Sequence, residues 1–402
     1  MSASASGPRA LYVHFPFCTH HCHYCDFSVQ RAAEPPVAEW LAAIAQDLDE
    51  WDRDPEIQGL IGLDSVYVGG GTPSLLRADG MKSLREVLDD RVTLSNAVEF
   101  TAEANPVSFG PDTARGWHEA GVTRVSLGVQ SFADGPLEWL GRLHDANGAV
   151  RAVETALAAG FASVNVDMLF GLPASVVRDW DREIRCLADL DVPHVSTYGL
   201  TAEPRTPLGQ WVDRGEVRLA EESTYEAEYL ASTAVLAGAG LRQYDVSSFA
   251  LPGHESRHNW HYWERRSYLG VGPSAHSFLN LRRVWNVRTW DAYRRAAQTG
   301  GTLREGSEVL SSQQTRLEEV WLGLRTRKGL PQTHPVWATS RARENLDAWR
   351  EAGWLIEHEG RILLTPAGWL RLDAVVGELE LEGKTVGGEI EMEGCQTAAS
   401  RI

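Results

Sequence analysis

The sequence predicts an α/β protein, with a partial (β/α)6 barrel followed by a small winged-helix-like α+β domain. Over the first 200 residues, short runs rich in Val, Tyr, Phe, Ser and Thr alternate with amphipathic segments. The alternation repeats at intervals of roughly 25–40 residues, which is typical of βαβ units that form a parallel sheet. Six such units favour an open or partial barrel over a two-layer antiparallel fold.

Six strands are predicted in this N-terminal part, and their compositions suit half-buried strands. They span residues 11–15, 65–68, 99–102, 124–127, 164–169 and 194–198. Apolar residues at helical spacing predict helices between them, with buried faces formed by Trp40, Leu41, Ile44 and Leu48 and by Val150, Val153, Leu157 and Phe161. Gly121 and Gly160 follow helical stretches, where a glycine suits a helix C-cap.

The regular alternation of predicted strands and helices ends at about residue 205. Residues 221–239 predict one long helix, and residues 243–247 predict a short strand. Residues 253–290 are rich in His, Trp, Tyr, Gly and Asn, and we expect them to form a loop.

The C-terminal part predicts a smaller unit. Helical patterns cover residues 315–327 and 340–352. Two short apolar runs, 354–357 and 361–364, flank the turn at Glu359 and Gly360 and predict a hairpin. Helices followed by a hairpin are typical of a winged-helix-like module.

These patterns divide the chain into five segments. They are a disordered leader (1–9), the partial barrel (10–250), a His/Trp-rich connecting segment (251–305), the winged-helix-like domain (306–376) and an acidic disordered tail (377–402).

Composition excludes several classes of protein. With 43% hydrophobic and 23% charged residues among 402, the chain is neither disordered nor fibrous. A net charge of −17 disfavours binding to nucleic acid. The sequence contains no apolar run of about 18 residues, the length that would predict a membrane span. Transient contact with a membrane or a membrane protein remains compatible with the sequence. Residues 1–8 lack the apolar core of a secretory signal, and we expect a cytoplasmic protein.

Three of the five cysteines, Cys18, Cys22 and Cys25, lie within eight residues directly after the first predicted strand. This indicates a reducing compartment and a metal site rather than a disulfide framework. Three thiolates can bind a [4Fe–4S] cluster and leave one iron free for another ligand. The alternatives are zinc, for which His14, His20, His21 and His23 are nearby candidate ligands, and plain buried or reactive thiols. Cys186 is expected to fill a core, and Cys395 lies in the acidic tail.

Polar or glycine-rich features follow the later predicted strands. They are the turn at residues 69–73, Glu103, Gln130 and Asp167. Because the C-terminal ends of parallel barrel strands open on one face, we expect these residues to lie near the cysteines. Glycines let the backbone of a turn approach a ligand closely.

The sequence resembles the radical S-adenosylmethionine (SAM) superfamily, and within it the oxygen-independent coproporphyrinogen III oxidase-like group. Inside that group it is most similar to the HemW family of heme chaperones. The resemblance runs from about residue 10 to 376. Beside the cysteine triplet, it is carried by YVHFPFC (12–18), GGGTPS (69–74), EANP (103–106), SLGVQSF (126–132), LGRLH (140–144), DMLFGLP (167–173), HNWHYW (258–263) and GVGPSAH (270–276).

The resemblance implies roles for individual residues. The three cysteines would bind three irons of a [4Fe–4S] cluster, and SAM would occupy the fourth through its amino and carboxylate groups. Gly70, Gly71 and Thr72 would hold the methionine end of SAM by backbone contacts, and Glu103 would accept hydrogen bonds from its ribose. The other cofactor-binding residues would be Tyr12 and Tyr24 beside the cluster, and Gln130, Arg142 and Asp167 in the SAM or second-ligand site.

Two branches of the group compete. The oxidase pattern has a fourth cysteine two residues after the third, where this sequence has Phe27, and it has a long extension before the cluster loop, where this sequence has 17 residues. Both departures match the HemW pattern. The resemblance therefore implies a heme chaperone that passes heme to an acceptor protein, with an electron donor for the cluster. The alternative is an oxidase of porphyrin metabolism, which decarboxylates coproporphyrinogen III.

Heme needs an apolar slot and usually an axial ligand. Residues 254–290 contain four tryptophans and four histidines. The histidines are candidate heme ligands: His254, His258, His261 and His276. The alternative is that these aromatic residues only close the open side of the barrel. We expect replacement of His258 to weaken heme binding and to leave SAM cleavage intact.

Overall fold

The computed structural model of the protein describes residues 7–57 and 59–379. The strands are β1 (Ala10–Phe15), β2 (Phe17–Cys18), β3 (Gln30–Arg31), β4 (Ile61–Gly70), β5 (Thr93–Ala104), β6 (Arg124–Gln130), β7 (Ser163–Phe170), β8 (His194–Gly199), β9 (Arg242–Gln243), β10 (Ser248–Ala250), β11 (Tyr268–Val271), β12 (His276–Leu279), β13 (Arg282–Asn286), β14 (Arg304–Val309), β15 (Leu330–Pro331), β16 (Leu355–His358) and β17 (Arg361–Leu364).

The helices alternate with these strands in the N-terminal half and dominate the C-terminal end. They are α1 (Val37–Asp52), α2 (Arg77–Asp89), α3 (Pro111–Glu119), α4 (Asp134–Trp139), α5 (Ala146–Ala158), α6 (Trp180–Asp189), α7 (Pro207–Asp213), α8 (Glu222–Gly238), α9 (Arg257–Trp263), α10 (Trp290–Thr299), α11 (Ser312–Leu324), α12 (Ser340–Glu351), α13 (Pro366–Trp369) and α14 (Leu372–Glu378).

One sheet of twelve strands organises the molecule, in the order β14-β13-β12-β11-β1-β4-β5-β6-β7-β8-β10-β9. In this spatial order, the seven consecutive strands that begin with β11 and end with β8 are parallel to one another. The strands outside them, at both ends of the sheet, are antiparallel to their neighbours. The first and last strands in this order do not pair, so the sheet stays open. The predicted partial barrel is confirmed, and each of the six predicted strands lies within or overlaps one of β1, β4, β5, β6, β7 and β8.

The two faces of this sheet differ in polarity. In β6, Val125 and Leu127 belong to the apolar core that includes residues of the surrounding helices. Because side chains alternate along a strand, Arg124 and Ser126 point to the other face, the interior of the open barrel. The polar residues of the neighbouring parallel strands share that interior face, which makes the barrel interior suitable for a polar ligand.

Two local predictions had different outcomes. Gly121 and Gly160 each lie two positions after the last residue of α3 and α5, with φ angles of +89° and +84°, as predicted for helix ends. The predicted face of α5 is confirmed only in part, because Val153 is buried but Leu157 is 37% exposed. The buried residues of this helix are Ala149, Ala152, Val153 and Ala156, since small side chains let the helix lie close against its neighbours.

The expectation of a loop over residues 253–290 was also wrong. This stretch forms α9, β11, β12 and β13, and it extends the main sheet beyond β1. Its polar residues obscured the pattern because several of them are buried: His258, His261, Ser277 and Asn286 are each at most 3% exposed. Likewise, the strand expected at residues 243–247 is two short strands, β9 and β10, on either side of a turn.

The C-terminal unit contains the predicted helices and hairpin, as α11, α12 and the antiparallel pair β16–β17, with β15 added at one edge. Its hydrophobic core includes Trp321 and Trp369 together with Trp263 and Tyr268 of the preceding segment. The boundary at residue 306 and the other segment limits stay predictions. Residues 1–6 of the expected leader and 380–402 of the expected tail lie outside the described residues.

Among the residues described, no helix combines the length and hydrophobicity that a membrane span requires.

Asp47 of α1 joins distant parts of the chain. It is fully buried and accepts hydrogen bonds from the Gly272 backbone N–H (2.9 Å) and from Asn286 Nδ2 (2.7 Å). The Tyr293 hydroxyl donates to the same carboxylate, and Arg304 forms an ion pair with it. One carboxylate therefore fixes α1 against elements that lie more than 220 residues later in the chain.

We expect Asp47→Ala to lower the free energy of unfolding by about 3–5 kcal/mol, because it leaves a half-buried guanidinium and several donors without their acceptor. Urea unfolding monitored by circular dichroism measures the change. Asp49→Ala is the matched control on the same helix, because Asp49 is 53% exposed and pairs only at the surface with Arg91. Equal losses in the two variants would contradict the assignment.

Candidate functional site

The cysteine loop begins where β1 ends and is closed at its base. β2, which ends at Cys18, pairs with β3, so that Phe17 lies opposite Gln30 and Cys18 opposite Arg31. Inside the loop, the Cys25 backbone N–H donates to the Cys22 carbonyl at 3.2 Å. The three cysteines are thus held on one short, closed segment at the C-terminal end of the parallel strands.

Aromatic contacts fix the outer part of this loop. The ring of His23 packs between those of Trp139 and Trp211, with centroid distances of 5.0 and 4.9 Å. The Leu208 backbone N–H donates to the His23 carbonyl at 2.9 Å. The loop is therefore anchored to α4 and α7 independently of any metal.

Burial keeps the thiols of Cys18 and Cys25 protonated. It raises the pKa of Cys18 to about 11 and that of Cys25 to about 12. The Thr72 hydroxyl donates to Cys18 Sγ at 3.3 Å, and Arg142 Nη1 donates to Cys22 Sγ at 3.7 Å. A positively charged metal centre would offset the cost of forming thiolates here.

The donor set fits an iron–sulfur cluster. Two of the three sulfur ligands, those of Cys18 and Cys22, receive hydrogen bonds from neighbouring side chains, and such bonds are among the features that tune these clusters. A cavity of about 60 Å³ lies beside Cys22 and is also lined by Thr72 and Arg142. The Nε atom of Arg142 is buried, and no described residue forms a hydrogen bond with it. This cavity leaves room for additional atoms next to the sulfur.

Two of the four histidines weighed as zinc ligands have hydrogen-bond partners. His14 contacts the Tyr12 hydroxyl (2.9 Å) and the Ser28 carbonyl (3.2 Å), and His21 contacts the Cys25 carbonyl (3.1 Å). Within residues 7–57 and 59–379, no three Cys, His, Asp or Glu side chains are grouped closely enough to hold one metal ion.

The glycine-rich turn after β4 packs so closely against β1 and β2 that Gly70 and Gly71 leave no room for a side chain. Gly70 has φ of +110°, and a Cβ atom there would lie 2.5 Å from His14; at Gly71 it would lie 2.5 Å from the Phe17 carbonyl oxygen. The amide N–H groups of Gly70, Gly71 and Thr72 donate to Glu103, Phe15 and Phe17, respectively. Backbone contacts from this turn to a ligand therefore have to come from carbonyl oxygens.

Glu103 lies in the barrel interior beside this turn. Its carboxylate accepts from the Tyr67 hydroxyl (2.8 Å) and the Gly70 N–H (3.1 Å). Burial raises its pKa to about 7, against the effect of the Tyr67 hydrogen bond, and the nearby Asp167 raises it further. Glu103 is therefore a carboxyl group that changes charge near neutral pH.

Asp167 lies on the same interior face, in β7. It accepts from the Ser126 hydroxyl (3.0 Å) and from Asn165 Nδ2 (2.7 Å), and burial raises its pKa. Tyr12 stacks on Tyr67 at 6.1 Å, and Tyr24 lies beside His23. Burial raises the pKa of both Tyr12 and Tyr24, so both carry hydroxyl protons.

Comparison with known proteins identifies the family. The model of the radical SAM superfamily matches residues 12–187. The heme chaperone HemW of Mycobacterium tuberculosis is 36% identical over 92% of this chain and 95% of its own length. HemW of Bacillus subtilis is 32% identical over 92% of this chain and 98% of its own. The chain belongs to the HemW family.

The fold comparison agrees with this assignment. The solved structure of coproporphyrinogen III oxidase (HemN) from Escherichia coli has a TM-score of 0.77 at 20% identity, and it covers 93% of this chain and 90% of its own. At this identity the likeness shows the fold alone. It confirms that the chain has the radical SAM type of α/β architecture.

In this HemW-family chain, three predicted heme candidates lie at the end of the barrel opposite the cysteines. His258 Nδ1 contacts the hydroxyl of Ser65, a β4 residue paired with Ala10 at the start of β1, and its Nε2 contacts the Tyr262 hydroxyl (2.9 and 2.8 Å). His261 contacts Asp64, and His254 contacts Ser163. Burial lowers the pKa of His258 and His261.

The fourth candidate has a different environment. His276 is half-buried in β12 and stacks on Trp285 of β13, with ring centroids 6.3 Å apart. His258, in contrast, is fully buried with both ring nitrogens engaged. This geometry counts against His258 as a heme ligand, and the structure does not bring the four histidines together.

Sequence reasoning missed the residues that position Gln130. Gln130 has a left-handed φ of +71° at a register shift between β6 and β7. The next residues are held by Glu183: the Ser131 hydroxyl donates to its carboxylate, and so does the Phe132 N–H at 2.8 Å. Glu183 itself forms a buried ion pair with Arg178 at 3.0 Å. No sequence pattern indicated this support, because Glu183 lies on α6, far from any motif.

We expect the contribution of Glu103 to the stability of the protein to fall as pH rises from about 4.5 to about 7. Its pKa is higher in the folded than in the unfolded state, so the folded state binds the extra proton in this window. The contribution is on the order of 3 kcal/mol, fully present below the window and lost above it. Urea unfolding at several pH values measures it.

Glu103→Gln removes this titration and serves as the comparison, measured in the same cluster-free state. The difference between the two stability curves should change through the window and level off about one pH unit above the folded-state pKa of about 7. A difference that is independent of pH would show that Glu103 does not titrate here.

Proposed function

We propose that the protein is a heme chaperone that binds heme and passes it to an acceptor protein. In this proposal, Cys18, Cys22 and Cys25 hold a [4Fe–4S] cluster with an exchangeable SAM. The observation that carries it is the identity of 36% to a heme chaperone over 92% of the chain, joined to a loop that holds three cysteines and has Phe27 at the fourth position of the oxidase pattern. An electron donor for the cluster belongs to the proposal, as does a cytoplasmic, reducing location.

The interior residues have defined tasks in this proposal. Gly70, Gly71 and Thr72 position the methionine end of SAM, and Glu103 accepts from the ribose. Gln130, Arg142 and Asp167 line the remainder of the ligand site, and Tyr12 and Tyr24 shield the cluster from water. When bound, the cluster supplies a low-potential electron for reductive chemistry on SAM. The polar groups of the chain orient the ligand and limit the access of solvent.

The heme contacts are proposed for the segment 254–290. His276 and the flat ring of Trp285 offer a half-exposed imidazole next to an aromatic surface. His258 supports the same region through Ser65 and Tyr262. The effect of replacing His258 on heme binding stays a prediction, with an indirect, structural cause.

We expect Cys18→Ser, Cys22→Ser and Cys25→Ser each to lose most of the iron, the acid-labile sulfide and the brown absorbance of anaerobically reconstituted protein. A serine hydroxyl does not replace a thiolate ligand of iron. Cys186→Ser is the matched control, because this cysteine lies on α6 and outside the loop. Iron retained in all three loop variants, or zinc in place of iron, would contradict the cluster.

The proposed function is tested by giving reconstituted protein, in separate anaerobic assays, heme and coproporphyrinogen III with SAM and a low-potential reductant. We expect stoichiometric binding of heme, seen as a saturable change in its absorbance, and no protoporphyrinogen by chromatography. Accumulation of protoporphyrinogen would overturn the chaperone proposal in favour of the oxidase. Failure to bind heme while SAM binds would also overturn it.

A further inference from the structure

Arg124 is a buried cation in the barrel interior. Two of its side-chain nitrogens have no hydrogen-bond partner among the described residues. The residue is 4% exposed, and its Nε and Nη1 atoms are buried without a hydrogen-bond partner. The carboxylate of Asp167 is close enough to interact with Arg124 through charge, but the hydrogen bonds it accepts come from Ser126 and Asn165. A buried guanidinium with unmet donors is costly unless an anionic group reaches it.

Thr101 lies next to Arg124 in the sheet, and its buried hydroxyl group also lacks a hydrogen-bond partner among the described residues. The two residues are directly opposite each other in the register of β5 and β6. Thr101 is fully buried, and its Oγ1 atom has no hydrogen-bond partner among the described residues. Phe100 and Ala102 belong to the apolar core on the other face, so Thr101 points into the interior with Arg124.

The groups around this pair are polar and already engaged. Ser163, opposite Arg124 on β7, contacts His254, and His194 bridges Asn165 (2.6 Å) and the Tyr244 hydroxyl (2.8 Å). Burial, together with the nearby Arg124, lowers the pKa of His194. These neighbours satisfy one another, whereas Arg124 and Thr101 have donors at this level of the barrel that find no hydrogen-bond partner among residues 7–57 and 59–379.

The pair lies within the ligand-binding depth of the interior. Thr101 is two residues before Glu103 on β5, which corresponds to about 7 Å along the strand. Through successive strand pairs, Thr101 shares its level with Tyr67 and Tyr12. The pair therefore lies level with Tyr12 and one interior position deeper in the barrel than Glu103.

We propose that Arg124 and Thr101 form a binding site for a carboxylate group inside the barrel. A guanidinium and a hydroxyl donate together to the oxygens of a carboxylate, and the anion neutralises the buried charge, which water does not. The carboxylate has two sources, a propionate arm of heme or a small free carboxylate. The first source rests on the proposed function, and the second does not.

The experiment compares heme with heme dimethyl ester, whose propionates carry no charge, on the full-length reconstituted protein. We expect Arg124→Met to weaken heme binding roughly 10- to 100-fold and to leave binding of the ester unchanged. Thr101→Val should weaken heme binding less, and Arg124→Lys should restore part of it. Thr197→Val is the matched control, because Thr197 is also buried with an unpartnered hydroxyl but lies on the other face of its strand.

Thermal unfolding with added sodium acetate or formate, against chloride at equal ionic strength, tests the second source. A rise in the midpoint for the wild type but not for Arg124→Met, with equal heme affinities, would assign the site to a small carboxylate. Equal heme affinities and no specific effect of either anion would overturn the proposal. If the wild type binds no heme, the proposed function fails, and the anion measurement still decides the carboxylate site. Retained SAM binding shows that each variant is folded.

Discussion

The parallel pairing of β1 on both of its sides is the constraint on which the candidate site depends. β1 lies between β4 and β11, so the strand that leads into the cysteine loop is fixed from two directions. A slip of one residue would turn Tyr12 and His14 into the apolar core and Val13 into the barrel interior. The register of this strand therefore sets which side chains meet the ligand and where the loop of Cys18 begins.

The candidate site also depends on the barrel interior, because charged side chains from several strands lie close together there, away from water. Burial raises the pKa of both Glu103 and Asp167, and Asp167 raises that of Glu103 further. Arg124 supplies a positive charge two residues below the row that contains Glu103 and Ser126. These groups remain folded into the interior because each carboxylate accepts hydrogen bonds from named donors on adjacent strands.

The sequence predicted what depends on local pattern. Alternating strands and helices indicated the open barrel, and the spacing of Cys18, Cys22 and Cys25 indicated the loop. It missed what depends on distant partners, because Asp47 meets Gly272 and Arg304 only after folding. The same holds for Glu183 and Gln130, and for α9, whose buried histidines pair with side chains of β4 and so do not show an apolar pattern. The face of α5 was misjudged in part, because alanines, rather than Leu157, pack inward.

The segment after β10 completes the site from the far side of β1. Ser28 of the cysteine loop donates from its hydroxyl to the Arg288 carbonyl at 3.0 Å, and its own carbonyl contacts His14. The Gly272 backbone lies close against His14 and donates to Asp47. The cysteine loop and the His/Trp-rich segment are thus parts of one hydrogen-bonded structure. A ligand bound to either part contacts a framework that also positions the other.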